Sequence, residues 1–200
     1  MSHSLGAAAG RRAVFLDRDG TINVEKEYLH RIEDWEWIPG AVEAIRLVNQ
    51  MGYLAIVITN QAGIARNYYD EAAVHTLHGK VDTLLSAEGA KIDAYYYCPH
   101  HPQHGVVREC QCRKPAPGML LAAQREYDID LAESWMIGDK QIDVEAARRA
   151  GVTPILVMTG YGAEAQKSLA PGVVCEPDIL SAVRYIAKYG DRQSGVRAVV

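Results

Sequence analysis

A short apolar run that ends in two carboxylates constrains the fold of this chain more than any other stretch. Residues 14–16 read Val-Phe-Leu, and Asp17, Arg18 and Asp19 follow directly. If the run is a buried parallel strand, its two-residue period sends Asp17 and Asp19 to one side and Arg18 to the other. Carboxylates crowded in one pocket repel each other, so the pair needs a cation between them or a proton on one of them. The motif alone fits a catalytic strand end and a plain Asx-rich turn about equally well.

The rest of the chain alternates between strand-like and helix-like stretches, which favours the catalytic interpretation. The spacing of apolar residues predicts helices after Gly40, after the N-cap residue Asp70, from Pro117, from about Ile142, and over 178–189. Continuous apolar runs predict strands at 53–58, 92–97, 135–139 and 154–158, with a short edge strand at 173–175. This alternation predicts an α/β fold with a mostly parallel sheet, helices on both faces, and ligands bound beyond the carboxyl ends of the strands.

Composition limits the number of domains and the classes of partner. A chain of 200 residues has the length of one domain, and we divide it into a flexible leader at 1–12, a single domain at 13–190 and a C-terminal tail at 191–200. The formal net charge is -4 and no basic stripe is present, so we expect no nucleic-acid partner. No apolar run reaches the roughly 18 residues of a membrane span, so we expect no membrane partner. We expect a cytoplasmic monomer.

Polar residues at the ends of the predicted strands suggest phosphoryl transfer. Besides Asp17 and Asp19, these residues are Thr59 with Asn60, and Asp139; Lys114, which follows the cysteine loop, belongs to the same set. A phosphoryl group in transfer spreads negative charge over its oxygens, so catalysis relies on positioning and on stabilisation by metal, lysine and hydroxyl groups. Asp17 is the candidate nucleophile, which would form an aspartyl-phosphate. Asp19 would protonate the leaving alkoxide and later accept a proton from the attacking water.

The same carboxylates suggest a magnesium site. Asp139, Asp17 and a backbone oxygen of Asp19 would provide oxygen ligands, which a hard divalent cation such as Mg²⁺ prefers. The ion would also relieve the repulsion between the neighbouring carboxylates.

A cluster of cysteines and histidines predicts a second, structural metal site. Three of the four cysteines lie close together with histidines among them, and in a reducing compartment this pattern favours metal over disulfides. Three thiolates and one imidazole make a closed tetrahedral set for Zn²⁺, here Cys98, His100, Cys110 and Cys112. His101 and His104 compete with His100 as the fourth ligand, and free buried cysteines are the alternative. The zinc loop, residues 98–112, would deliver Arg113 and Lys114 to the phosphate.

Four motifs in order resemble those of the haloacid-dehalogenase-like (HAD) phosphatases. They are Asp-Arg-Asp-Gly-Thr from Asp17, Thr59-Asn60, Arg113-Lys114-Pro115 and Gly138-Asp139-Lys140, within roughly residues 13–160. The resemblance implies a Rossmann-like fold with a minimal cap and an inserted zinc-binding loop, and an Mg²⁺-dependent aspartyl-phosphate mechanism. It also implies that Thr59 and Lys114 bind the phosphoryl group and that Asp139 binds the metal.

Within this family the chain is similar to zinc-loop phosphatases of sugar bisphosphates, so the implied substrate is a small phosphosugar. The implied substrate contacts are Asp17, Arg18, Asp19, Glu25, Lys26, Glu27, Tyr28, Thr59, Asn60, Gln61, Ala62, Arg113, Lys114 and Lys140. Two features depart from the pattern. Glu25 stands where the family usually has Asp, and the loop from His100 to Cys110 is somewhat shortened. Histidinol-phosphate phosphatases, which have a similar but shorter zinc loop, are therefore the alternative.

Two other function classes fit part of the pattern. A receiver-type signalling domain also combines an acceptor aspartate, a hydroxyl, a lysine and Mg²⁺ on a doubly wound sheet, but it needs neither a general acid such as Asp19 nor a zinc loop. A zinc-based nucleic-acid module conflicts with the acidic charge balance and the lack of a basic helix. The sequence therefore favours an enzyme.

Overall fold

A single, entirely parallel sheet forms the centre of the protein. The structure, a computed structural model, describes residues 10–196. The strands of the sheet are β1 (Ala13–Leu16), β2 (Leu54–Asn60), β3 (Ala94–Cys98), β4 (Trp135–Gly138), β5 (Thr153–Val157) and β6 (Val174–Glu176). They lie in the order β3-β2-β1-β4-β5-β6, and every neighbouring pair is parallel. The predicted α/β fold with a Rossmann-like sheet is confirmed.

The helices that were predicted begin close to their predicted positions. The helices of the structure are α1 (Ala41–Gln50), α2 (Glu71–Ala87), α3 (Gly118–Tyr127), α4 (Gln141–Ala150), α5 (Gly162–Ala165) and α6 (Ile179–Val196). Asp70 caps α2 as predicted, because its carboxylate accepts a hydrogen bond from the backbone N–H of Ala73 at 2.8 Å. Helix α5 was not predicted, since four residues are too few to show an apolar period. Helix α6 continues to Val196, beyond residue 189 where we expected it to end.

Alternate strand residues face opposite sides of the sheet and bury two sets of helices. In β1, Val14 and Leu16 belong to an apolar cluster with residues of α1, α2 and α6. Phe15 belongs to a second cluster with residues of α3 and α4. The prediction of helices on both faces is therefore confirmed. The helical spacing of apolar residues after Asp70 predicts that Leu84 and Leu85 share one buried stripe, which is wrong for Leu84: it is 43% exposed, while Leu85 is buried.

The two ends of the chain are only partly described. Residues 1–9 of the predicted leader and residues 197–200 of the predicted tail lie outside the described part. The backbone N–H of Arg11 donates to the carbonyl of Asp128 at 2.8 Å, and Arg12 accepts a hydrogen bond from the N–H of Leu54 at 2.9 Å. The two residues before β1 therefore contact the folded domain. Within the described residues, no helix combines the length and the apolar character needed to cross a membrane.

Candidate active site and metal centres

The ends of three neighbouring strands bring the candidate catalytic residues together. Strand β1 lies between β2 and β4, so Asp17, Thr59 and Asp139, at or just after the carboxyl ends of these strands, meet at one edge of the sheet. Asp17 and Thr59 line a cavity of about 370 Å³, the active-site cavity. Lys140, two residues after the end of β4, also lines it, and so does Lys114, which is far from any strand end in sequence.

Three of the predicted substrate contacts do not line the active-site cavity, whereas all the others do. Arg18 is buried, with 1% of its surface exposed. Lys26 pairs with Glu36 at 2.9 Å near the surface. Arg113 donates a hydrogen bond to the carbonyl of His100 at 2.9 Å and lines a second cavity of about 380 Å³ beside the zinc loop. Substrate contacts by these three residues stay predictions.

Lys114 is the buried cation of the site. Its Nζ lies 2.8 Å from Oδ1 of Asp17 and 2.7 Å from Oδ1 of Asp143, and it donates to the carbonyl of Ile58 at 2.8 Å. Burial alone would lower the pKa of Lys114, but attraction to Asp143 and Asp17 raises it above its ordinary value. Asn60 fixes the backbone of Lys114, because its side-chain amide exchanges two hydrogen bonds of 3.1 Å with that residue. Lys114 therefore remains charged and oriented next to Asp17.

Three carboxylates converge beside Lys114 and fit a divalent cation. One oxygen from each of Asp17, Asp139 and Asp143 lies within 4.8 Å of the other two, and all three residues are buried. Oδ1 of Asp139 is buried and accepts no hydrogen bond within the described chain. Burial and the charge of Asp17 raise the pKa of Asp139 to about 8. Because Mg²⁺ prefers such oxygen ligands and cancels their repulsion, the donor set fits the predicted magnesium.

Asp143 is the member of this cluster that sequence reasoning missed. It lies in the first turn of α4, where its Oδ2 accepts a hydrogen bond from the N–H of Lys140 at 2.9 Å. From the sequence, an acid at this position could also be a solvated residue that merely favours the helix dipole. The signal was its spacing from Asp139, since a strand-end residue and one in the first turn of the next helix can face one pocket. The ligand role predicted for the backbone oxygen of Asp19 stays a prediction.

The carboxylate of Asp19 is surrounded by hydrogen-bond donors. Nη2 of Arg18 lies 3.0 Å from each of its two oxygens. The side-chain amides of Asn23 and Gln61 donate to Oδ1 at 3.0 Å and to Oδ2 at 3.2 Å, respectively. Burial raises the pKa of Asp19, but Arg18 and Asn23 outweigh this effect and lower it below its ordinary value. Asp19 therefore carries a negative charge at neutral pH in this state.

An ion pair stands at the rim of the active-site cavity. Nζ of Lys140 lies 2.8 Å from Oε2 of Glu25 and 4.9 Å from the centre of the Tyr161 ring. The neighbouring rim residues Glu27 and Tyr28 have left-handed backbone conformations, with φ of 43° and 53°. Residues other than glycine rarely adopt this backbone conformation, so contacts with the surrounding structure hold this turn in place. The rim offers carboxylate, ammonium and phenol groups suited to a hydroxylated, anionic ligand.

The predicted zinc ligands form a compact cluster. Sγ of Cys98 lies 3.6 Å from Sγ of Cys110 and 3.1 Å from Sγ of Cys112. Nδ1 of His100 lies 3.7 Å from Cys98 Sγ and 3.4 Å from Cys112 Sγ. Ligands about 2.3 Å from a tetrahedral zinc are separated by about 3.7 Å, so three thiols and one imidazole fit this ion. The set Cys98, His100, Cys110 and Cys112 is the predicted one.

The structure also separates the competing histidines. Nε2 of His101 lies 3.3 Å from Nη2 of Arg66, and its Nδ1 accepts a hydrogen bond from the N–H of Gln103. The rings of His101 and His104 lie 4.7 Å apart. Both nitrogens of His101 are thus occupied outside the cluster, and His100 is the histidine among the four converging ligands.

Known proteins with similar sequences identify the family. A family model described as HAD-hydrolase-like matches residues 111–181. The D-glycero-β-D-manno-heptose-1,7-bisphosphate 7-phosphatase of Photorhabdus laumondii is 43% identical over 185 residues, which cover 90% of this chain and 98% of that protein. The protein of the same name from Escherichia coli is 50% identical over 153 residues, 74% of this chain and 80% of that one. This chain belongs to the HAD-like hydrolase family.

A solved structure superimposes on most of this chain. The D,D-heptose 1,7-bisphosphate phosphatase of B. bronchiseptica, crystallised with magnesium and phosphate, superimposes with a TM-score of 0.81 at 33% identity. The match covers 88% of this chain and 98% of that one. The predicted family and the predicted class of enzyme, a phosphoric monoester hydrolase, are confirmed. A receiver domain and a zinc-based nucleic-acid module are not the families found.

Proposed function

We propose that this HAD-like hydrolase removes the 7-phosphate of D-glycero-D-manno-heptose 1,7-bisphosphate, in the bacterial synthesis of nucleotide-activated heptose. The main observation in support of this chemistry is the buried contact between Lys114 and Asp17, whose Nζ and Oδ1 lie 2.8 Å apart. Both residues line the active-site cavity, together with Thr59. The substrate assignment is supported by relatives named as heptose bisphosphate phosphatases, at 43% and 50% identity. They favour this substrate over histidinol phosphate.

The first half of the reaction transfers the phosphoryl group to the enzyme. A carboxylate oxygen of Asp17 forms a bond to phosphorus while the bond between phosphorus and the sugar oxygen breaks. The ammonium of Lys114 and the hydroxyl of Thr59 stabilise the charge on the phosphoryl oxygens. Asp19 gives a proton to the departing sugar oxygen. The phosphates of the substrate bring negative charge next to Asp19, which favours the protonated form that this step needs.

The second half of the reaction releases inorganic phosphate. Asp19, now a carboxylate, accepts a proton from a water molecule whose oxygen attacks phosphorus. The bond between phosphorus and Asp17 breaks, and the nucleophile returns to its starting form. Mg²⁺ held by Asp17, Asp139 and Asp143 would supply a positive charge that balances the carboxylates and the phosphoryl oxygens.

Groups at the cavity rim would recognise the rest of the substrate. Glu25, Glu27 and Tyr28 can hydrogen-bond sugar hydroxyl groups, and Lys140 provides a cation for an anionic substituent. Zn²⁺ on the zinc loop would be structural, because its four protein ligands leave no open position for substrate. The ion would hold the start of the chain segment that carries Lys114.

Comparison of two substrates tests this function. With Mg²⁺, the purified protein should release phosphate much faster from heptose 1,7-bisphosphate than from histidinol phosphate. Asp17→Asn should abolish release, because an amide cannot act as the nucleophile, while the zinc content stays unchanged. A preference for histidinol phosphate would refute the substrate, and a fully active Asp17→Asn protein would refute the role of Asp17. The cytoplasmic location, the monomeric state and the lack of nucleic-acid or membrane partners stay predictions.

A further inference from the structure

The side-chain amide of Gln61 links Asp19 and Thr59, two functional residues that line the active-site cavity. Gln61 follows β2 directly and is 2% exposed. Its Nε2 donates to Oδ2 of Asp19 at 3.2 Å and to Oγ1 of Thr59 at 2.9 Å. An amide nitrogen has two hydrogens, so both are used. Because the hydroxyl of Thr59 accepts this bond, its own hydrogen remains available for donation into the cavity.

Tyr69 supports the orientation in which the amide of Gln61 donates to Asp19. The phenol O–H donates to Oε1 of Gln61 at 2.7 Å, and burial raises the pKa of Tyr69 to about 12, so it stays a donor. If the amide turned over, its nitrogen would face the phenol and its oxygen would face the carboxylate of Asp19. Two acceptors would then oppose each other at Asp19 and that bond would be lost, although the phenol oxygen could accept from the turned amide.

The ring of Tyr69 is itself held in place from two sides. It stacks on the ring of His30, with 4.8 Å between ring centres and 17° between planes. A Cβ at Gly63 would lie 2.2 Å from Cε1 of Tyr69, so the ring occupies space that only a glycine leaves open. The ring of Tyr69 is therefore fixed in a position from which its hydroxyl donates to Gln61.

We propose that Gln61, oriented by Tyr69, is a positioning residue that sets the rotation of the Asp19 carboxyl for protonation of the leaving sugar oxygen. Arg18 and Asn23 hold Asp19 too, but neither lines the active-site cavity, whereas Gln61 does. Gln61 exchanges no proton in this step. The proton moves from the Asp19 carboxyl to the oxygen that leaves phosphorus. The inference rests on the proposed function, because it requires the acid role of Asp19.

The nature of the leaving group distinguishes this role from a merely structural one. An alkoxide such as the sugar oxygen needs a proton as it leaves, whereas p-nitrophenolate is stable enough to leave without one. Both substrates transfer the same phosphoryl group to Asp17, and kcat/KM reports that first step. A residue that positions the acid should therefore matter for heptose 1,7-bisphosphate and hardly matter for p-nitrophenyl phosphate.

The test uses Gln61→Met, a change of similar size that removes both donors. Since a general acid contributes about 10²–10⁴-fold, we expect kcat/KM for heptose 1,7-bisphosphate to fall about 10–100-fold. For p-nitrophenyl phosphate we expect a fall of less than about 3-fold. Tyr69→Phe and Gly63→Ala should likewise lower kcat/KM more for heptose 1,7-bisphosphate than for p-nitrophenyl phosphate. Tyr96→Phe, which removes a hydroxyl bonded to Glu126 at 2.6 Å, is the matched control and should leave both values unchanged.

A double variant separates action through Gln61 from direct contact with the sugar, because Tyr69 also lines the cavity. If Tyr69 acts through Gln61, adding Tyr69→Phe to Gln61→Met should cost nothing further. Multiplying effects would overturn the proposed link between Tyr69 and Gln61. An equal fall for both substrates, or no fall for either, would overturn the positioning role. If the unchanged protein hydrolysed neither ester with Mg²⁺, the proposed function itself would fail.

Discussion

Replacing Lys114 by methionine should destabilise the fold far more than removal of an ordinary lysine. Nζ of Lys114 is within 2.8 Å of Asp17 and 2.7 Å of Asp143, and only 2% of the residue is exposed. Without it, the buried carboxylates of Asp17, Asp139 and Asp143 remain within 4.8 Å of one another, and the partly exposed Lys140 reaches only Asp139, at 3.9 Å. Breaking a buried pair on one side costs about 3–5 kcal/mol, since the charge left behind loses its partner and stays out of water.

This cost can be measured by thermal and urea unfolding in buffer without added magnesium. For a chain of this length, 1 kcal/mol lowers Tm by about 2–4 °C, so we expect a fall on the order of 10 °C. Lys91→Met is the matched control, because Lys91 is 69% exposed in its 2.7 Å pair with Asp93 and such surface pairs contribute about 1 kcal/mol or less.

A second substitution tests the electrostatic cause. Asp143→Asn removes one of the stranded carboxylates, so it should recover about 1–3 kcal/mol in the Lys114→Met background relative to simple additivity. The reasoning would be refuted if Lys114→Met unfolded at the same temperature as the Lys91→Met control. It would also be refuted if the effects of Lys114→Met and Asp143→Asn added with no coupling.

Two further perturbations test the buried histidine and the zinc loop. Burial, with the charge of Arg18, lowers the pKa of His78 from 6.5 to about 3, so the unfolded chain binds an extra proton between these values. The contribution of neutral His78 is therefore complete above about pH 6.5 and decreases below it, by about 1.4 kcal/mol at pH 5.5. His78→Gln should lose less stability than the unchanged protein between pH 7.5 and 5.5 in urea unfolding, and an equal loss would contradict the assignment. Cys112→Ser should lower the zinc content from about one ion per chain to near zero. Cys175→Ser, which lies outside the ligand cluster, is the control and should keep its zinc. Equal zinc content in the two variants would exclude the four-ligand site.

Local sequence patterns were sufficient for the architecture and for the catalytic strand ends. The apolar run at 14–16 became β1, and Asp17 follows it at the edge where β1, β2 and β4 meet. These features depend on residues close together in the chain, where the period of two along a strand and the spacing of a helix apply directly. The zinc loop was visible for the same reason, since its ligands lie within 15 residues of sequence.

Contacts between distant segments could not be read in this way. The choice of His100 over His101 depended on Arg66, and the ligand role open to Asp143 depended on where α4 begins. Arg113 follows the zinc loop as expected, but its side chain turns to the carbonyl of His100 and not to the active-site cavity.

By itself, the sequence determined the parallel α/β fold, the family, and the residue types that meet at the strand ends. The tertiary structure alone decided which side chains face one another: Lys114 between Asp17 and Asp143, and Gln61 between Asp19, Thr59 and Tyr69. The physical reason is that periodicity and motif spacing act along a few residues of backbone. Hydrogen bonds and charge pairs depend instead on distances of about 3 Å between segments that only the packed sheet and helices bring together.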